Sequence, residues 1–242
     1  MEINNYLNIA KGKINNKKIK TFILATYAGI FIALAGILST VVSISITNYS
    51  VSKLISALVF PIGLILVILM KTELFTGNSL LVIPLLKKDI TLKELLRNWL
   101  VVYLGNLFGS LIISLLIVNT PLRDVLSDKI SVIANAKISF SFIEAIILGI
   151  LCNFLVCLSV FLASNANTIT EKVIVIFLPI FTFVALSFEH SVANMSYLSL
   201  GYLLDGGITL MKLFINNLLP VTIGNIIGGT ILGISVYYLR KE

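Results

Sequence analysis

Apolar residues run along this chain in long blocks, with polar residues gathered between the blocks or in short clusters inside them. Blocks of about 20 apolar residues are the length an α-helix needs to cross a bilayer. The first block runs from about Phe22 to Ile46. The second, about Leu54 to Leu86, is interrupted by KTELFTGN. The third spans about Asn98 to Val118 and the fourth about Phe142 to Ala163. The fifth, about Val173 to Leu204, is interrupted by SFEHSVANM, and the sixth covers about Phe214 to Leu239. The pattern predicts an all-α membrane protein with six transmembrane helices, the second and fifth broken. The stretch from Phe22 to Thr47 is longer than the apolar core of a signal peptide, and no small-residue cleavage site follows it, so it is expected to stay as a helix.

Two stretches of the chain repeat one pattern. NWLVVYLGNLFG from Asn98 and NLLPVTIGNIIG from Asn217 share Asn, Leu, Val, Gly, Asn and Gly at the same spacing. The matches are Asn98 with Asn217, Leu100 with Leu219, Val102 with Val221, Gly105 with Gly224, Asn106 with Asn225 and Gly109 with Gly228. The copies fall in the third and sixth spans, so each half is expected to hold three spans with the broken one in the middle. An odd number of crossings per half makes the two repeats inverted. The expected division is a single integral membrane domain over 1–242, with a cytoplasmic segment at 1–21, a first repeat at 22–118 and a second at 138–239. The two breaks are then expected to face each other near the bilayer midplane, where irregular backbone survives only if buried or lining a wet path. The glycines suit close helix packing, and Asn106 and Asn225 are placed to bond the freed backbone of the breaks.

Composition agrees: 58% of residues are hydrophobic and 12% charged, against about a quarter charged in soluble domains. The net charge of +7 is mostly an orientation signal. With the N-terminus inside, the inner segments carry twelve basic residues (Lys11, Lys13, Lys17, Lys18, Lys20, Lys87, Lys88, Lys93, Arg97, Lys172, Arg240, Lys241). The outer segments carry five: Lys53, Arg123, Lys129, Lys137 and Lys212. That bias predicts both termini in the cytoplasm and a multi-pass protein of the plasma (inner) membrane. No soluble domain is left to present a basic face, so no nucleic-acid partner is expected. Cys152 and Cys157 share one apolar run and are expected as buried thiols.

The candidate chemistry sits at the breaks. His190 is the only histidine, and an ionisable residue inside a membrane span is a functional candidate by default. It could hand a proton to a weak-acid anion, or serve as a neutral hydrogen-bond donor. A broken helix exposes a fresh N-terminus whose unpaired N–H groups favour anions; with Thr76 and His190 as donors, a small monovalent anion is the expected passenger. Glu73 and Glu189 flank the breaks and are read as caps of exposed helix starts. One histidine among scattered carboxylates makes no metal site. With no nucleophile triad and no phosphate-binding loop, neither an enzyme nor a cofactor is expected. Lys71, just before the first break, receives no role at this level.

The segments ELFTGN, FIEAIILGILCN, FEHSVANM and PVTIGNIIGG, together with KIKTFILATYAGIFIALAG near the N-terminus, resemble the signatures of the formate/nitrite transporter family over nearly the whole chain from about Lys18. The resemblance implies a homopentamer of aquaporin-like protomers, each with its own pore, carrying formate, nitrite, hydrosulfide or lactate. It places the central pair on Thr76 and His190, constrictions on Phe60, Leu64, Leu74, Phe75 and Phe183, an outer-vestibule lysine on Lys137, and family asparagines on Asn153 and Asn225. The expected function is a passive or proton-linked channel for small monovalent weak-acid anions, formate first and nitrite or hydrosulfide next. An aquaporin-like channel for neutral solutes and a non-transport membrane protein remain the alternatives.

Overall fold

The computed structural model describes residues 2–205 and 207–240; Lys241 lies outside them. Every regular element among these residues is helical. In chain order they are α1 (Ile3–Asn15), α2 (Lys18–Ser43), α3 (Tyr49–Val59) and α4 (Ile62–Leu69), then a 3-10 turn (Gly77–Leu81) leading into α5 (Val82–Leu86). There follow α6 (Leu92–Ile117), α7 (Leu122–Ile138), α8 (Phe142–Ser164), α9 (Ile169–Ala185) and α10 (Ser191–Asp205). A short α11 (Leu210–Leu213) passes through a π-helical turn (Phe214–Leu218) into α12 (Leu219–Arg240).

Among the described residues, five stretches can cross a membrane by length and composition: Lys18–Ser43, Tyr49–Leu69, Leu92–Ile117, Phe142–Ser164 and Leu210–Arg240. The broken fifth span is divided into α9, with 17 residues, and α10, with 15. Local signals set several starts. Thr91 with Glu94, Ser141 with Glu144 and Thr168 with Glu171 each form a reciprocal capping box at the head of α6, α8 and α9, satisfying donors that a helix start leaves bare. On α6 the outward stripe Leu96, Leu100, Leu104, Phe108, Leu111 and Leu115 is exposed. Water would penalise such a surface; lipid does not.

Two helix pairs pack backbone to backbone. On α6, a Cβ at Gly109 would enter the carbonyl of Thr26 on α2; on α12, a Cβ at Gly228 would enter the carbonyl of Ile150 on α8. The same contact thus recurs in each half, at residues the repeated pattern had paired, and close approach of this kind requires glycine.

The two breaks are also built alike. Lys71 (φ 52°) and Ser187 (φ 58°) take the left-handed conformation just past α4 and α9. The next amide then turns back: Thr72 N–H donates to Val67 O and Phe188 N–H to Phe183 O, both at 3.0 Å. This is a Schellman-type stop, and it supplies the role that Lys71 lacked.

Two amphipathic helices were not foreseen. The segment expected only as a cytoplasmic lead contains α1, which buries Tyr6, Leu7, Ala10 and Ile14 against Leu80, Leu81, Ile83 and Phe161. α7 buries Leu126, Ile130 and Ala134 and packs on α10. Both cysteines are buried free thiols.

Candidate functional site

The breaks meet at one contact. Thr76 Oγ1 lies 2.8 Å from Nε2 of His190, and both residues are buried. His190 immediately precedes α10, and its Nδ1 accepts the N–H of Ala193, three residues on, at 3.1 Å. An N–H can only donate, so Nδ1 is an acceptor and the neutral ring carries its proton on Nε2. Nε2–H therefore donates to Thr76 Oγ1, and the threonine hydroxyl keeps its own proton for another acceptor. A second proton on Nδ1 would first have to displace the Ala193 N–H.

Each break is held by an asparagine from the last long helix of its half, as the repeated pattern led one to expect. Asn106 Oδ1 accepts Phe75 N–H at 2.9 Å, while its amide donates to Ala25 O and Glu73 O at 2.7 and 2.9 Å. Asn225 Oδ1 accepts Ser191 N–H at 2.8 Å, while its amide donates to Gly149 O and Glu189 O at 2.8 and 3.0 Å. Asn153 secures the centre: its amide reaches Thr76 O (3.2 Å), Ser79 Oγ (3.2 Å) and Asn225 O (2.6 Å). These bonds narrow one expectation. Of the fresh N–H groups at the breaks, those of Phe75, Ser191 and Ala193 have protein acceptors and are not open to an anion.

The carboxylates do not cap helix starts either. Glu73 Oε2 pairs with Lys13 Nζ of α1 at 2.9 Å and accepts from Asn78 at 2.7 Å. Glu189 pairs through Oε1 with Lys137 Nζ of α7 at 2.8 Å, and its Oε2 accepts from Asn194 at 2.6 Å and Asn217 at 3.1 Å. Asn78 in turn donates to Asn98, and Asn194 to Asn217. The same lysine–glutamate–asparagine cluster thus stands beside each break. Lys13 entered the sequence reading only as an orientation charge, and nothing there joined it to Glu73. A signal existed: A-x-x-K-I occurs at Ala10–Ile14 and again at Ala134–Ile138.

Two cavities approach the central pair. One of about 440 Å³ reaches Lys137, Glu189 and His190, with Phe60 and Phe183 on its wall. The other, about 550 Å³, reaches Lys13, Glu73 and Asn78, with Leu64 and Leu74 on its wall. Phe60 and Phe183 meet edge to face at 5.8 Å between centroids, and Phe183 stacks on the His190 ring at 5.8 Å. Phe60, Leu64, Leu74, Phe75 and Phe183 belong to one buried apolar cluster. Phe75 differs from the other four: it packs on Tyr103 and Trp99 and lines neither cavity. Among the described residues no group of His, Cys, Asp and Glu could hold a metal.

Comparison with known proteins agrees with this geometry. The family model described as "Formate/nitrite transporter" matches residues 2–239. The "Formate channel FocA" of Haemophilus influenzae is 34% identical over 97% of this chain and 91% of its own. A solved "Pentameric formate channel with formate bound" superposes with a TM-score of 0.81 at 34% identity, covering 92% of this chain and 96% of that one. A solved "FNT family ion channel" reaches a TM-score of 0.90 at 28% identity, covering 98% of both chains. With matches along the whole length and a helical fold shared with those channels, the chain belongs to the formate/nitrite transporter family, a family of membrane channels and transporters rather than enzymes.

Proposed function

We propose that the protein passes formate across the plasma membrane through a pore within each protomer of a homopentamer, with nitrite and hydrosulfide as further passengers. The carrying observation is the Thr76–His190 contact, set between two cavities that each hold a lysine–glutamate pair, and surrounded by apolar side chains. In this reading α9 and α10 together make the fifth of six crossings, the repeats run over about 22–118 and 138–239, and both termini face the cytoplasm. The relatives titled formate channels and the twelve-to-five bias of basic residues support it.

Phe60, Leu64, Leu74 and Phe183 oppose a bare charge, because nothing on an apolar wall replaces the water an anion gives up. A weak acid of pKa about 4 is neutral about once in a thousand at pH 7, so crossing as the neutral acid costs roughly 4 kcal/mol. Thr76 offers its hydroxyl proton to the passenger, and Nε2–H of His190, donating to the threonine oxygen, orients that hydroxyl. With Nδ1 committed to Ala193, donation of a hydrogen bond is favoured over transfer of a proton from the ring. The ion pairs Lys137–Glu189 and Lys13–Glu73 stand at the two ends of the dry segment, and Asn106, Asn153 and Asn225 hold its walls. The test is flux of ¹³C-formate, nitrite and hydrosulfide into liposomes holding only this protein. Saturable formate flux, lost with Thr76→Val, is expected; a protein that conducts water or glycerol but none of these anions would overturn the reading.

A further inference from the structure

The outer cavity carries more positive charge than the proposed path uses. Lys53 of α3 and Lys129 and Lys137 of α7 all line it. Glu189 is the one carboxylate among the described lining residues, and it is bound to Lys137 at 2.8 Å. That pair cancels at longer range. Lys53 and Lys129 are half-buried and, among the described residues, have no hydrogen bond or ion pair. Lys53 feels the charges of Lys129 and of the Lys137–Glu189 pair, so the four groups share one electrostatic neighbourhood. The rest of the polar wall offers few donors. Ser39 and Ser56 give their hydroxyl protons to each other's main-chain carbonyls, and Ser52 gives its own to Ser43 O. An anion entering here finds the ammonium groups of Lys53 and Lys129, the charged donors of this wall that are bound to no carboxylate among the described residues.

We propose that Lys53 and Lys129 form an anion site of their own at the outer mouth, taking small carboxylates and inorganic anions and loading the pore ahead of the Lys137–Glu189 pair. The site rests on the channel reading above for its purpose, though not for its chemistry. Lysine is a compact, strongly hydrated point charge with rotatable donors, so it gathers anions that still carry water and releases them readily. A cavity walled by low-dielectric groups with one sign of charge raises the local anion concentration. A dianion such as sulfate engages both ammonium groups at once, and the apolar segment beyond prevents its passage. Sulfate is therefore an inhibitor of formate uptake when added on this side.

The experiment uses the full chain reconstituted in liposomes, comparing the parent with Lys53→Gln/Lys129→Gln and with Lys53→Arg/Lys129→Arg. At low salt the glutamine pair should raise the half-saturating external formate about threefold to tenfold and weaken sulfate inhibition by a similar factor, while the arginine pair stays near the parent. The difference should vanish in about 1 M salt, where the Debye length is about 3 Å. Equal half-saturation of parent and glutamine pair at low salt would overturn the proposal. A second measurement needs no transport: line broadening of ¹³C-formate by detergent-solubilised protein, expected to drop several-fold in the glutamine pair. If the parent broadens the signal and the glutamine pair does not, yet no formate crosses the liposome, the site stands and the channel reading falls. If both broaden it equally, the site falls. Should the glutamine pair fail to assemble, the single Lys129→Gln on surface helix α7 carries the same comparison.

Discussion

The main-chain N–H of Ala193 donates to Nδ1 of His190 across 3.1 Å, so the imidazole serves as cap of α10 and as donor to Thr76 at once. Asparagine keeps the first role and loses the second. His190→Asn should therefore assemble and melt like the parent, while selectivity for formate over chloride in liposomes changes about fivefold, the worth of one hydrogen bond of about 1 kcal/mol. Because the ring is not the proton source in this geometry, the fall of formate flux with rising pH should persist in the variant, following the shrinking neutral fraction of the acid. A variant whose flux no longer responds to pH would return the proton to the histidine.

Asn106 and Asn225 each satisfy three backbone groups that have no water to turn to. Asn106→Leu should cost about 3 kcal/mol or more, since each buried group left unpaired costs about 1–3 kcal/mol. Asn225→Leu should cost the same within error. Thermal scans of the detergent-solubilised oligomer read both; a loss at one site alone would mean the two halves are not equivalent in their support.

Glycine substitutions should separate contact from propensity. Gly109→Ala and Gly228→Ala press a methyl group into the carbonyls of Thr26 and Ile150, an overpacking expected to cost about 1–3 kcal/mol. Gly12→Ala in α1 meets nothing within 4 Å and should gain about 0.5–1 kcal/mol from the better helix former. The same melting assay ranks the three.

Lys71 and Ser187 hold a backbone conformation that glycine adopts freely. Lys71→Gly and Ser187→Gly should each stabilise by about 0.5–1 kcal/mol, and Lys71→Val should destabilise by at least as much. Equal melting points for Lys71→Gly and Lys71→Val would show that the stop of α4 is not held by that turn.

Much of this architecture was readable from the residues alone. The polar clusters KTELFTGN and SFEHSVANM located both breaks, and the spacing of Asn98, Gly105, Asn106 and Gly109 with Asn217, Gly224, Asn225 and Gly228 located their supports, because a helix interior needs special residues wherever backbone is opened or approached. The partners of Glu73 and Glu189 were not readable. Lys13 and Lys137 reach them from amphipathic helices too polar to register as spans, and the lysines are 60 and 52 residues distant in sequence. The ring contacts that hold Phe75 were not readable either: with its amide fixed by Asn106, its ring packs on Tyr103 and Trp99.

The reach of Asn106 back to Ala25 and Glu73 also bears on how the chain is made. When α4 and the break have left the ribosome, the carbonyl of Glu73 and the amide of Phe75 still await a side chain some thirty positions downstream. Hydrocarbon will not accept them bare. The break before α5 is therefore expected to settle in the bilayer only once α6 has joined it, and the break before α10 only once α12 has. Chains cut short between a break and its asparagine should stay accessible to added protease in a membrane-insertion assay.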